Sequence, residues 1–124
     1  MSAPTPAVRA LVYTRDGNRC ISCGTRHGLT VQHRQATGMG GRKRRPSPAE
    51  LVTACLPCNQ GYEAAGQDAA LQFGIKVRRH IGSLTVAEVP VYYPLERTWF
   101  LLDDNGDRTV CPPIFAREVM AWLI

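Results

Sequence analysis

Two Cys-x-x-Cys turns constrain this chain more than any other feature, Cys20-Ile21-Ser22-Cys23 and Cys55-Leu56-Pro57-Cys58. Four thiolates delivered in pairs suit a tetrahedral Zn2+ ion with every coordination position filled. A metal held in this way contributes directly to folding. Chance spacing and a redox pair are the competing readings. Two pairs together favour structural zinc on Cys20, Cys23, Cys55 and Cys58. Between the pairs lie positions 24 to 54, an interval of 31 residues. A simple zinc ribbon needs less, so something is inserted there. A closed four-cysteine site is structural, and chemistry has to come from elsewhere.

The chain has 124 residues, enough for one small domain or a small domain with an appendage. A core of that size is modest, which makes a metal staple valuable. The formal charge of +5 points to an acidic partner such as nucleic acid. Four of the fifteen basic residues are consecutive, Arg42-Lys43-Arg44-Arg45. No apolar run approaches the roughly 18–20 residues of a membrane span, so no membrane association is expected. Met1-Ser2-Ala3-Pro4 opens without the charged start and apolar stretch of a signal peptide. The expected location is therefore cytoplasmic, where cysteines stay reduced and serve as metal ligands. Cys111 is left over as a small buried apolar residue.

Local signals divide the chain into short elements. Thr5 can cap a helix that starts at Pro6 and runs to about residue 15, with Val8, Leu11 and Val12 on one side. Asp16-Gly17-Asn18 ends it in a turn. Leu29 to His33 alternates as a strand, with Leu29, Val31 and His33 on one face. Residues 34–50 carry glycines, prolines and charges and read as a long loop. Leu51-Val52-Thr53 is a second β-like segment. Asn59 to about Phe73 reads as a helix, with Gly74 as its stop. Val86 to Tyr93 and Thr98 to Leu102 read as strands. Asn105-Gly106 turns the chain, and Arg108 to Val110 is the return strand. A final helix covers Ile114 to Ile124, with Ile114, Phe115, Val119 and Trp122 as its apolar candidates.

Inside and just after the insertion lie the candidate chemical groups. His33, at the end of a strand, has a near-neutral pKa suited to acid–base work, although a lone histidine is more often a satisfied surface residue. Asn59 and Glu63, four residues apart, share a face on a helix. Their oxygens suit Mg2+ or Mn2+, while a helix-start Asn and a solvated Glu are the plainer alternative. Arg34, Arg42, Lys43, Arg44 and Arg45 form a dense positive surface for nucleic-acid phosphates, with no base-reading content of their own.

The pattern Cys20-x-x-Cys23-Gly24, Val31-Gln32-His33-Arg34, Gly38-Met39-Gly40-Gly41 and Leu51-x-x-x-Cys55-x-x-Cys58-Asn59 resembles the HNH endonucleases. It looks like the small HNH proteins of bacteriophages that infect actinobacteria. Val89-Pro90-Val91 and the run Trp99 to Gly106 are similar to the C-terminal extension of those proteins. The resemblance spans about residues 8–110. It implies an α+β fold, with a ββα-metal core carrying a structural zinc on four cysteines. Residues 1–75 would form the nuclease domain with its N-terminal helix. Residues 76–124 would add a β-hairpin and short helix packed on it. By the same resemblance His33 is the general base, Gln32, Asn59 and Glu63 hold a catalytic divalent ion, and Glu50 supports the loop before the second knuckle. Gln32, Glu50 and Asn59 depart from the most typical identities of the family.

The function implied is metal-dependent hydrolysis of DNA phosphodiester bonds with low intrinsic sequence specificity, acting on double-stranded DNA. In a phage protein the setting would be the bacterial host cytoplasm. One alternative is a non-catalytic zinc DNA-binding module on an HNH scaffold, favoured by the three departures. Another is an accessory to a phage genome-packaging machine, with terminase or another packaging protein as partner and the tail as interface.

Overall fold

The computed structural model describes residues 3–36 and 44–123. The glycine turn at 38–41, together with Arg42 and Lys43, lies outside the described residues. Helix α1 spans Pro6–Arg15, and the Thr5 hydroxyl accepts from the Val8 amide at 3.2 Å. Strands β1 (Leu29–His33) and β2 (Leu51–Cys55) pair antiparallel, with Val31 opposite Thr53 and His33 opposite Leu51. Helix α2 (Leu56–Tyr62) follows β2 without a loop. These three elements form a ββα-like unit.

The second half adds α3 (Gln67–Gln72), then a three-stranded antiparallel sheet of β3 (Val91–Tyr93), β4 (Thr98–Leu102) and β5 (Arg108–Val110), and finally α4 (Pro113–Leu123). The architecture is the expected mixed α+β class. Among the described residues no helix is long and apolar enough to cross a membrane.

The helix expected over 59–73 is two helices. The chain leaves α2 at Tyr62, and the Gly66 amide reaches back to the Gly61 carbonyl at 2.9 Å. A Cβ on Gly66 would sit 3.0 Å from that carbonyl, so the two glycines allow the break. The expected strand over 86–93 is also shorter. Val86–Glu88 forms a 3-10 turn whose Glu88 carboxylate accepts from the Thr85 amide at 2.8 Å, and Pro90 cannot donate to a ladder. A similar turn at Pro48–Glu50 closes the long loop.

The core joins both halves of the sequence. Ile21, Val52, Ala54 and Tyr62 pack in one cluster with Val91, Tyr93, Phe100 and Leu102. A smaller cluster gathers Val77, Val86 and Val89 around Met120 of α4. The final helix buries Ala116 and Met120, four residues apart, rather than the larger residues expected. Ile114, Phe115 and Trp122 are exposed, Trp122 by 82%.

Two arginines are buried. The Arg15 side chain, at the end of α1, is only 1% exposed. It forks onto the Asp16 carboxylate at 2.8 and 3.0 Å and donates to the carbonyls of Pro48 and Leu51. Asp16 in turn accepts from the Thr53 amide at 2.9 Å and the Tyr93 hydroxyl at 2.6 Å. Burial and the neighbouring Asp16 both push the Tyr93 phenol well above its ordinary pKa, so it stays a donor.

Arg34, expected on the phosphate-facing surface, is fully buried. Its Nε donates to Gly74 O at 3.0 Å, Nη1 to Ala49 O and Val86 O at 3.0 and 3.1 Å, and Nη2 to Val89 O at 2.8 Å. Burial pulls its pKa down to about 9, so the charge persists at neutral pH with carbonyl dipoles in place of water. Gly74 is required in this arrangement. Its φ is +69°, and a Cβ there would lie 2.0 Å from the Pro90 carbonyl.

Removing the Arg34 guanidinium strands the buried carbonyls of Ala49, Gly74 and Val89, while Val86 O keeps the Val89 amide. At about 1–3 kcal/mol for each unpaired group, Arg34→Met is expected to cost at least about 3 kcal/mol in urea unfolding. Arg34→Lys, which keeps the charge but lacks the rigid fork, should recover only part of the loss. An unchanged midpoint in Arg34→Met would refute this role.

Candidate metal centre

The four predicted cysteines converge. One sulfur from each of Cys20, Cys23, Cys55 and Cys58 lies within 4.8 Å of the others. None of the cysteines is in a disulfide. The Sγ atoms of Cys23 and Cys55 are 3.7 Å apart. With Zn–S bonds of about 2.3 Å, a tetrahedral site has S–S edges of about 3.8 Å, so the donor set fits zinc in both chemistry and size.

Local structure explains the convergence. In the first turn the Gly24 amide donates to the Cys20 carbonyl at 3.0 Å, with Gly24 at φ +81°. The Ile21 amide bonds the Thr53 carbonyl at 3.1 Å, which pins that turn to β2. Cys55 is the last residue of β2 and Cys58 lies in the first turn of α2, so the strand-to-helix junction aims the second pair. The Ser22 and Tyr62 hydroxyls hydrogen-bond and close α2 against the first turn.

The thiols are not equivalent. Burial raises the Cys20 pKa, but hydrogen bonds from the backbone of Cys23, Cys55 and Ser22 outweigh it, and the net value falls to about 7. Burial and the neighbouring thiols push Cys58 well up. Cys20 is therefore the first to be a thiolate, and loading the site displaces the protons of the rest. All four positions around the ion would be filled by this chain, which assigns it a structural role.

The candidate catalytic groups are placed differently. Gln32 is buried, and its Nε2 donates to the His33 carbonyl at 2.9 Å. Asn59 lies on α2 and donates from Nδ2 to the Thr30 hydroxyl at 2.9 Å. Strand alternation puts Thr30 and Gln32 on this face of the hairpin, and Val31 and His33 on the other. The other face carries α1, where the Thr53 hydroxyl donates to the Val12 carbonyl. Glu63 is the cap residue after α2, and its carboxylate pairs with Lys76 at 2.7 Å. Among the described residues, the four cysteines are the one group of three or more His, Cys, Asp or Glu side chains placed to share a metal.

Glu50 braces the end of the long loop. Its carboxylate accepts from the Ser47 amide at 2.7 Å and receives both terminal nitrogens of Arg44 at 2.8 and 3.1 Å. Arg44 is therefore engaged with Glu50, whereas Arg45 is exposed. Sequence reading did not single out Arg78, Arg79 and His80, all exposed. The available signal was the absence of any acidic residue between Asp68 and Glu88.

No family model matches the chain, and comparison with curated proteins and with solved structures gave no significant match.

A zinc role predicts one tightly held Zn2+ per chain by elemental analysis. Chelation should abolish cooperative unfolding, because structural zinc contributes about 10–16 kcal/mol in small zinc-finger peptides, as much as a whole domain's stability. Cys55→Ser and Cys58→Ser should each lose the metal. Retention should weaken as pH falls below neutrality, since the ligands must be thiolates. A chain that folds fully and takes up no zinc would contradict the assignment.

Proposed function

We propose that this protein is a zinc-stabilised DNA-binding module built on an HNH-like ββα scaffold, which holds DNA without cutting it. The observation that carries the reading is the contrast between two candidate centres. The four cysteines converge on a site of zinc dimensions. Around Gln32, Asn59 and Glu63 no comparable group of three or more His, Cys, Asp or Glu side chains gathers among the described residues, and the Glu63 carboxylate is paired with Lys76. A catalytic divalent ion needs several oxygen or nitrogen ligands in one place. The net charge of +5 and the exposed arginines support a nucleic-acid partner. Contacts of this kind hold the phosphate backbone, so sequence preference is expected to be weak.

A second reading is the metal-dependent endonuclease. It draws on the ββα-like unit that carries His33 at the end of β1 and Asn59 in α2. It requires His33 to reach round the hairpin edge to Gln32 and Asn59, which strand alternation puts on the other face. There His33 would activate water, and Gln32, Asn59 and Glu63 would hold Mg2+ or Mn2+ against the scissile phosphate.

Supercoiled plasmid separates the two. The binding reading expects a salt-dependent mobility shift and no nicking with Mg2+ or Mn2+, with His33→Ala binding as well as the parent. Arg45→Ala should lower the slope of log affinity against log salt by about 1. Nicking by the parent that vanishes in His33→Ala would replace the binding reading with the endonuclease. Absence of any DNA binding would sink both.

A further inference from the structure

The exposed run Arg78-Arg79-His80 has a location its sequence does not announce. Gln35, just beyond β1, bridges to Val77 in a parallel pairing and donates from Nε2 to the carbonyls of Arg78 and Arg79 at 2.7 and 3.3 Å. The run is thereby held next to the start of the long basic loop. The Arg78 and Arg79 guanidinium groups have no hydrogen bond or ion pair among the described residues. Arg15, Arg34, Arg44 and Arg108, by contrast, are bound by protein carbonyls or carboxylates.

The chain then turns through Gly82 and meets α4. His80, Ile81, Leu84, Trp122 and Leu123 line a cavity of about 480 Å3 there. A cleft of about 690 Å3 carries Arg79 and Arg44 and adjoins that cavity, since both are lined by His80, Ile81, Gly82 and Leu84. The carboxylates on the larger cleft are Glu50, already paired with Arg44, and Asp104. Trp122 stands at one end, 82% exposed, with an indole face unspent on the core. Arg78 and Arg79 lead directly into His80, which shares a cavity with Trp122. Exposed cations on a segment that ends at an exposed ring are the parts that hold an unpaired nucleotide strand, phosphates on the cations and a base on the ring. A duplex offers the ring no base face except at its ends.

We propose that the surface formed by Arg78, Arg79, His80 and Trp122 binds single-stranded nucleic acid, with Trp122 stacking an unpaired base and the two arginines holding adjacent phosphates. This rests on the nucleic-acid-binding reading above and specifies its surface and strand form.

The probe is an oligothymidylate of about 12 nucleotides, within the usual range of single-strand site sizes. It is titrated into the zinc-loaded full chain with tryptophan emission as the readout. Trp99 is stacked on Tyr92 at 5.3 Å, so a Trp99→Phe variant leaves Trp122 as the single reporter. The expected result is quenching in Trp99→Phe and none in Trp122→Ala. Affinity should fall roughly tenfold in Trp122→Ala and recover in Trp122→Phe. Arg78→Ala with Arg79→Ala should lower the salt slope by about 1.4. Zinc content and melting temperature confirm that each variant folds. If duplex and oligothymidylate bind the parent and all variants alike, this surface is overturned while the general reading stands. If neither binds the parent, both fall. If Trp122 emission shifts with protein concentration alone, the face is a contact between copies or for another protein, and the proposal is overturned.

Discussion

Everything in this fold hangs on a charge that never reaches water. Arg34 leaves β1 and points inward, where its guanidinium is divided among Ala49, Gly74, Val86 and Val89. Its backbone adds to the same junction, taking the Glu50 carbonyl through its amide and giving its own carbonyl to the Val77 amide. A buried cation is costly unless it is fully hydrogen-bonded, and here the bonds come from segments far apart in sequence that the two hydrophobic clusters also bring together. The ββα unit and the C-terminal half are therefore one cooperative body. The Arg15–Asp16 pair plays a parallel part on the other side of the hairpin, joining α1, β2 and Tyr93 of β3. Zinc fixes the knuckles locally, while these two charged centres set where the rest of the chain goes.

This division explains what could be read from the residues. Helix α1, strand β1, the knuckles and the Asn105–Gly106 turn are governed by neighbours within a few positions, and their capping, alternation and spacing announce them. The breaks at Tyr62 and Val86 depend on a glycine carbonyl contact and on a capping glutamate, signals that were present and outweighed by apolar periodicity. The roles of Arg15 and Arg34 had no local signature. An arginine beside a histidine and a basic loop looks like a phosphate ligand until the carbonyls that surround it, up to 55 positions away, are known. Arginine count alone overstated the charge available to a partner.

The same distinction sharpens the candidate sites. Four cysteines suffice to define the zinc centre because Cys-x-x-Cys fixes each pair and the hairpin aligns the two pairs. A second, catalytic metal would need groups from β1 and α2 to meet in one volume, and no short motif enforces that. Gln32 and Asn59 are amides, which can satisfy a fold's own hydrogen bonds as readily as they can bind a cation. Glu63 has a lysine partner at 2.7 Å. A ββα-like scaffold can therefore persist for its shape and its zinc while its amide nitrogens and its Glu63 carboxylate serve internal contacts.

Not every arginine is available to act on another molecule. Arg15, Arg34, Arg44 and Arg108 are committed to carbonyls or carboxylates. Among the described residues the Arg78 and Arg79 guanidinium groups are not, and they stand on a segment that Gln35 holds by its carbonyls and that continues into the cavity lined by His80 and Trp122. Helix α4 packs through Ala116, Met120 and the half-buried Leu123. Burying Trp122 would have released about 1.5–3 kcal/mol or more through the hydrophobic effect, so leaving it exposed forgoes stability that a small domain could use. A contact with something outside the chain is the simplest way for that free energy to be recovered, and stacking on an unpaired base, as proposed above, would recover it.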